Sequence, residues 1–183
     1  MELRSSPRVD VVWRDTMLVT KIAEPTELHD PAALAQELLD EAYRSDLNLA
    51  SAECFSGGTI AAKFGGSERN RSHLAGAFIF NSEHAIAQLL GRNPADIRQA
   101  DPDSLAADMA LAAMRATGAS LALGIVAPRG IMRFGPVSFS AMDERGNKWE
   151  ERPSANDLPE REIAGQAIAF FKRCLRSSLE RHL

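Results

Sequence analysis

The sequence has few of the features that mark secreted, membrane-spanning or nucleic-acid-binding proteins. Its 183 residues include only two cysteines, Cys54 and Cys174, so it has no disulfide framework of the kind that stabilises small secreted domains. No apolar run approaches the ~20 residues that a membrane-spanning helix needs, and the first ten residues lack an apolar signal core. With 21 basic against 25 acidic residues, the formal net charge of −4 argues against a nucleic-acid partner. These absences predict a cytoplasmic protein that contacts neither membranes nor nucleic acid.

The composition that remains is that of an ordinary folded domain. Hydrophobic residues make up 45% of the chain and charged residues 25%, and the length suits one domain with an appendage. Residues 1–29 are predicted to form an N-terminal extension, with a β-hairpin that turns near Asp15. Residues 30–183 are predicted to form the main domain.

Hydrophobic periodicity in the main domain alternates between strand and helix. Strands are predicted at 47–52, 75–80, 121–126 and 137–142, with 75–80 buried and a further polar edge strand around Trp149. Helices are predicted at 31–44, 59–64 and 82–90, then behind a cap at Asp103 or Ser104, and finally to about Arg181. This alternation predicts an α/β fold with three layers, α/β/α, around a mixed sheet.

The most informative segment joins the predicted strand at 47–52 to the helix that follows it. Gly57 and Gly58 stand where backbone N–H groups and the positive end of the helix would meet an anion, or an oxyanion formed during acyl transfer. Cys54 stands just before the helix, where the same field lowers the pKa of a thiol. A free cysteine is also commonly a small buried apolar side chain. Both interpretations of Cys54 are open at this point.

The same segment carries a family resemblance. The run Ala52-Glu53-Cys54-Phe55-Ser56-Gly57-Gly58 resembles the A-E-S-C-T-G-G signature of the CinA C-terminal domain family, the competence/damage-inducible proteins, whose active members are nicotinamide mononucleotide deamidases. The resemblance continues in chain order through 75–79, 86–91, Ser104, 118–123 and 135–137, and covers roughly Ala33 to the C-terminus. It implies the family's fold, a small nucleotide or other anionic ligand and a homo-oligomer. No cofactor and no metal site are predicted.

The departures from the family pattern fall on its chemistry. Cys54 corresponds to the family's nucleophilic serine and Ile86 to its lysine, and its tyrosine corresponds to Asn81 or, one residue earlier, to Phe80. Isoleucine can neither accept nor donate a proton, and general acid–base help is typically worth ~10²–10⁴-fold in rate. The resemblance therefore implies a catalytically degenerate protein that keeps a binding site. The residues predicted to bind the ligand are Glu53, Ser56, Gly57, Gly58, Asn81, Arg129 and Arg133.

Two other functions fit the residues. In the first, Cys54 is the nucleophile of a cysteine amidohydrolase, and His73 or His84, which flank the strand at 75–80, is its base. In the second, the protein is a structural homo-oligomer whose N-terminal strands pair with the sheet edge of a neighbouring subunit. The two histidines and the two arginines would equally suit solvated surface positions.

Overall fold

A computed structural model describes residues 9–14, 17–22, 30–65, 71–127, 136–153 and 158–181, with the backbone alone considered for the first two segments. The strands are β1 Val9–Arg14, β2 Met17–Ile22, β3 Leu49–Glu53, β4 Leu74–Ile79, β5 Leu121–Val126, β6 Ser138–Asp143 and β7 Lys148–Glu151. The helices are α1 Pro31–Arg44, α2 Thr59–Gly65, α3 Glu83–Leu90, α4 Pro94–Gln99, α5 Pro102–Thr117 and α6 Glu160–Glu180, with a 3₁₀ turn at Arg71–His73.

The strands form one mixed sheet in the order β1-β2-β7-β6-β5-β3-β4. The side that carries the motif is parallel, because β3 lies between β5 and β4 and runs in the same direction as both. The predicted N-terminal hairpin is confirmed: β1 pairs with β2 antiparallel, and β2 then pairs with β7 in parallel. The structure thus adds the N-terminal strands to this chain's own sheet, and their pairing with the sheet edge of a neighbouring subunit stays a prediction.

Two buried apolar clusters lie on opposite faces of the sheet, which confirms the three-layer α/β/α architecture. Side chains from α1, α2 and α6 fill one cluster, and side chains from α3, α4 and α5 fill the other. Alternate residues of each central strand contribute to different clusters, as the pleat of a strand requires. Helix α5 lies directly on β5, where a Cβ added at Gly124 would come within 1.8 Å of the Ala106 carbonyl oxygen.

Several local predictions are wrong: two concern the position of a strand in the sheet, and two concern the start of a helix. Strand β4 was expected to be buried, yet it stands at one end of the strand order and every second residue is exposed. Strand β7 was expected at an edge, but it lies between β6 and β2, and Trp149 is fully buried. Pro94 was expected only to follow a helix and instead begins α4, and Asp101 rather than Asp103 or Ser104 caps α5. In the last two cases a proline after a capping residue is the local signal.

Within the described part of the chain, none of the helices combines the length and the apolar character that crossing a membrane would require.

Candidate active site

Cys54 lies where the chain leaves the carboxyl end of β3 and turns towards α2. Its backbone amide donates to the Ile125 carbonyl oxygen at 3.3 Å, and its Sγ lies 3.7 Å from the same oxygen. Only 1% of Cys54 is exposed, and it belongs to the apolar cluster that also holds Phe80 and Ile86. The structure therefore brings Cys54 and Ile86, the positions for which the resemblance implies a serine and a lysine, into one apolar cluster.

The surroundings of Cys54 hold its thiol in the protonated form. Burial, with a smaller contribution from the negative charge of Glu53, raises the pKa of the Cys54 thiol to about 12, although a hydrogen bond with the Ala127 backbone acts in the opposite direction. A thiol with that pKa is overwhelmingly protonated at neutral pH, and the thiolate is the nucleophilic form. The expectation that the helix start lowers the pKa of Cys54 is wrong, because loss of solvation outweighs the field of a seven-residue helix.

Glu53 precedes Cys54 by one residue and takes part in a polar network at the start of α2. The Ser56 hydroxyl donates to Glu53 Oε2, and the Ala61 amide donates to Glu53 Oε1 at 3.3 Å. Ser56 Oγ in turn accepts the Thr59 amide at 3.0 Å, and the Thr59 hydroxyl donates to Glu160 Oε1. Burial raises the pKa of the Glu53 carboxyl, and the nearby Glu160 carboxylate adds to the rise, although the hydrogen bonds act against it.

This network occupies the N–H groups that were expected to receive a ligand anion. The first-turn amides of Thr59 and Ala61 already donate to side chains of the chain itself, so a carboxylate stands at the helix start. Gly57 and Gly58 differ: neither amide has a hydrogen-bond partner among the described residues. Both glycines have positive φ, +60° and +105°, and a Cβ at Gly58 would come within 2.9 Å of Ile79 Cδ1. Their first role is therefore to make the turn.

The structure brings neither histidine to Cys54. His73 lies before the amino end of β4, where its Nδ1 donates to the Leu47 carbonyl oxygen at 2.9 Å and its ring meets Tyr43 edge-on at 5.3 Å. Cys54 follows the carboxyl end of the parallel strand β3, so about five strand residues at roughly 3.3 Å each separate the two. His84 is exposed on the first turn of α3, whereas Cys54 is buried. Because the described contacts join neither imidazole to Cys54, the role of base for His73 or His84 stays a prediction that this geometry does not favour.

The remaining predicted site residues either lie at the sheet edge or fall outside the residues that the structure describes. Asn81 is exposed and follows β4 by two residues; Ile79, the last residue of β4, has its Cδ1 2.9 Å from where a Cβ at Gly58 would lie. Arg129 and Arg133 lie outside the described residues. Sequence reasoning missed Thr59 and Glu160, which meet across 101 positions of the chain and which no local motif links. In the described ranges no three His, Cys, Asp or Glu side chains come together as a metal site.

Comparison with known proteins shows the fold. No protein-family model matches the chain, and no curated protein matches its sequence. The structure is similar to that of the competence/damage inducible protein CihA from Agrobacterium tumefaciens, with 18% identity and a TM-score of 0.65, over 87% of this chain and 100% of that one. The fold is that of the CinA superfamily.

Two further CinA superfamily proteins agree with this result. The protein from Escherichia coli is 20% identical, with a TM-score of 0.66, over 84% of this chain and 94% of that one. The protein from Klebsiella pneumoniae is 20% identical, with a TM-score of 0.67, over 84% and 99% of the two chains. At such identities the likeness establishes the CinA fold, and the chemistry of the site has to follow from the side chains present.

Proposed function

We propose that this CinA-like protein has lost amidohydrolase chemistry at Cys54 and acts by binding a small anionic ligand, a nucleotide being the first candidate. The observation that carries the proposal is the burial of Cys54 and Ile86 in one apolar cluster. A cysteine nucleophile needs either a lowered pKa or a base within hydrogen-bonding reach. Cys54 has a raised pKa, and the residue in the lysine position is a hydrocarbon.

The cysteine amidohydrolase is the weaker candidate because, in the part of the chain that the structure describes, no basic side chain contacts the thiol. Among the described residues, the Cys54 thiol has two backbone partners: its Sγ lies 3.7 Å from the Ile125 carbonyl oxygen, and the Ala127 backbone amide is the other. The carbonyl oxygen accepts a proton in a hydrogen bond but cannot remove it. Glu53 is the one described side-chain charge that acts on the thiol, and its sign opposes ionisation.

The binding half of the proposal is supported by the turn between β3 and α2. Gly57 is exposed, and the amides of Gly57 and Gly58 have no partner in the described part of the chain. Unpaired amides at the carboxyl edge of parallel strands are suited to phosphate or carboxylate oxygens. Asn81, two residues after β4, is exposed and can both donate to and accept from a ligand.

Ammonia release from nicotinamide mononucleotide tests the loss of catalysis. Wild-type protein and Cys54→Ala should release ammonia at the same rate as a sample without protein. Turnover in the wild type that disappears in Cys54→Ala would contradict the proposal and establish the cysteine amidohydrolase.

Calorimetry on the same samples tests binding, with nicotinamide mononucleotide and inorganic phosphate as separate titrants. Wild type and Cys54→Ala should bind the nucleotide equally, because Cys54 is buried, whereas Asn81→Ala should bind more weakly. Gln99→Ala, an exposed amide on α4, is the matched control and should bind as wild type does. No heat with either titrant in any variant would remove the binding half and leave the fold alone.

Alkylation of Cys54 tests its chemical state directly. In a Cys174→Ser background at pH 8, native Cys54 should react with iodoacetamide roughly a thousandfold more slowly than a model thiol, since a pKa near 12 leaves little thiolate. Urea-unfolded protein, in which the thiol is solvated, should react at the model rate. Native reaction as fast as the model thiol would show that the burial argument is wrong.

A further inference from the structure

The Gly57–Gly58 turn is held at both of its ends by side chains. The Thr59 amide donates to the Ser56 carbonyl oxygen at 3.3 Å and to Ser56 Oγ at 3.0 Å, which closes a four-residue turn around the two glycines. The Ser56 hydroxyl donates to the Glu53 carboxylate, and the Thr59 hydroxyl donates to that of Glu160. Glu53 ends β3 and Glu160 begins α6, so the turn lies between two fixed parts of the fold. We call these four side chains the clasp.

Glu53 is the member of the clasp on which the start of α2 depends. Its carbonyl oxygen accepts the Phe80 amide at 2.9 Å within the sheet, and only 1% of the residue is exposed. Its Oε1 accepts the Ala61 amide of α2 at 3.3 Å. Helix α2 has seven residues, and an isolated helix of that length is not stable in water. The contacts with Glu53 are therefore needed to keep the start of α2, and the turn before it, in place.

The elements packed around Glu53 bring it no cation in the part of the chain that the structure describes. Strands β4 and β5, on either side of β3, have no ionisable side chain. The charged residue of α2, Lys63, lies in the last turn of that helix, whereas Glu53 bonds to the first turn. Helix α1 directs two carboxylates to basic side chains of α6, in the pairs Glu37–Lys172 and Glu41–Arg176.

Glu160 is the charged group that acts on Glu53, and the two charges have the same sign. The first turn of α6 also has Arg161, which pairs with Asp30 at 3.9 Å, and Glu162. Among the described residues, neither Glu53 nor Glu160 forms a salt bridge. Burial, with a smaller contribution from the Glu160 charge, raises the pKa of Glu53 above its ordinary value of 4.5, although hydrogen bonds act against the rise.

Opening of the clasp would place Glu53 in water, where its ordinary pKa returns. The closed clasp therefore binds a proton on Glu53 more tightly than the open clasp does, and opening releases that proton. The advantage of the closed form is fully present below pH ~4.5 and is lost as the pH rises through the raised pKa. A protonated Glu53 still serves both partners, because one oxygen accepts the Ala61 amide and the other donates its proton to Ser56 Oγ.

We propose that the clasp is a pH-sensitive switch on the Gly57–Gly58 turn, closed in acid and open more often as Glu53 and Glu160 both become ionised. In the closed form the turn keeps the shape that presents the two glycine amides. In the open form α2 loses its start, and the glycines, which tolerate many conformations, no longer keep one. The switch itself is testable without a ligand, whereas its control of ligand affinity rests on the proposed function.

Hydrogen exchange of the ligand-free protein between pH 5 and 9 tests the switch. The quantity compared is the protection factor of the amides at 57–64, which corrects for the pH dependence of chemical exchange. In wild type it should fall by up to about tenfold per pH unit until Glu53 is ionised in the closed form, because opening releases one proton. Amides at 121–126, in the central strand β5, should stay far better protected throughout, because they open only when the whole domain unfolds.

Three variants assign the effect. Glu53→Gln keeps both hydrogen bonds of Glu53 and cannot ionise, so protection at 57–64 should stay near its acid value at every pH. Glu160→Gln keeps an acceptor for Thr59 and removes the like charge, so the fall should be smaller and end at a lower pH. Glu162→Gln, in the same turn of α6 but outside the clasp, is the control and should follow wild type.

Three results would overturn the switch. The first is wild-type protection at 57–64 that does not change with pH, and the second is an equal fall in wild type and Glu53→Gln. The third is equal protection at 57–64 and 121–126, which would mean that the turn opens only in global unfolding. If Glu53→Gln does not fold, the comparison of Glu160→Gln with Glu162→Gln decides, and equal falls in these two variants reject the switch.

Calorimetry with nicotinamide mononucleotide at pH 5 and pH 8 tests the control of affinity. Dividing the dissociation constant of wild type by that of Glu53→Gln cancels the titration of the nucleotide itself. The ratio should be near one at pH 5 and at least about twofold at pH 8, since twofold corresponds to half of the wild-type molecules being open. A ratio of one at both pH values would contradict the control of affinity. No binding by either protein would contradict the proposed function, and the exchange data would then judge the switch alone.

Discussion

Glu53 and Cys54 are neighbours in the chain, and each is only 1% exposed, yet the two faces of the sheet give them opposite surroundings. The Glu53 carboxylate lies in a network of hydroxyl and amide donors that ends at Glu160. The Cys54 thiol lies among hydrocarbons, with the backbone of Ile125 and Ala127 as its described polar partners. Strand alternation alone puts the two side chains on different faces.

The difference shows that position in a fold does not by itself supply reactivity. Both groups stand at the sheet edge where the family resemblance implies catalysis, and burial raises the pKa of both. Glu53 keeps polar partners and contributes to holding the start of α2. Cys54 shares its apolar cluster with Ile86, where the resemblance implies a lysine, and this cluster is part of the hydrophobic core.

The largest expected effect comes from placing a charge in the apolar cluster that holds Cys54. Ile86 is fully buried in the apolar cluster, so Ile86→Lys would leave an ammonium group with no described partner. An uncompensated buried charge typically costs ~3–5 kcal/mol, and urea unfolding should show a loss of that size.

Ile86→Val is the control for this substitution and should cost ~0.5–1.5 kcal/mol, the usual range for removal of one buried methyl group. A lysine variant no less stable than the valine variant would mean that a polar outlet exists beside Cys54. In that case both faces of the sheet would offer polar partners at this edge, and the contrast between Glu53 and Cys54 would be smaller.

A smaller effect is expected from forcing α5 away from the same face. A Cβ at Gly124 would lie 1.8 Å from the Ala106 carbonyl oxygen, and backbone cannot rotate aside as a side chain can. Gly124→Ala should therefore destabilise the fold by ~1–3 kcal/mol or more, measured by thermal unfolding. It should also speed alkylation of Cys54, because α5 helps to cover it.

Gly65→Ala is the matched control, since a Cβ there meets nothing within 4 Å. Its stability should stay within ~0.5 kcal/mol of wild type. If Gly124→Ala alkylates no faster than Gly65→Ala, then α5 does not control access to the thiol.

Much of the fold could be predicted from the sequence because its signals are local. Asp30 followed by Pro31 marks the start of α1, and the continuous apolar run at 121–126 marks a strand buried on both faces. Edge and interior could not be told apart in the same way. Strand β4 is apolar yet stands at the edge, and β7 is polar yet is covered by β2, because strand order depends on pairing between distant segments.

The candidate site could likewise be predicted only in part. The sequence places the motif at the end of β3. The resemblance singles out Cys54 and Ile86 as the positions where this chain departs from the family. The pKa of Cys54 could not be predicted, because a helix start lowers it, burial raises it, and only the structure gives the extent of burial. The position of His73 could not be predicted either, because flanking a strand does not reveal which end of the neighbouring strand it meets.

The smallest expected effect is a change in pH dependence on the Glu53 face. Burial and the Glu160 carboxylate raise the pKa of Glu53 above its ordinary value of 4.5, so the folded state binds this proton more tightly than the unfolded state does. Its contribution to stability is fully present below pH ~4.5 and is lost as the pH rises through the raised pKa. Glu53→Gln keeps an oxygen for the Ala61 amide and removes this titration. The variant should therefore gain stability relative to wild type between pH 4 and 8, as unfolding curves at each pH would show.

Glu160→Gln is the informative companion to Glu53→Gln. It keeps an acceptor for the Thr59 hydroxyl and removes the negative charge that helps to raise the pKa of Glu53. The pH dependence of stability should therefore persist in Glu160→Gln but be smaller and end at a lower pH than in wild type. Identical curves for wild type and Glu53→Gln would show instead that Glu53 titrates as a solvated carboxylate. The contrast between the two faces of the sheet would then rest on Cys54 alone.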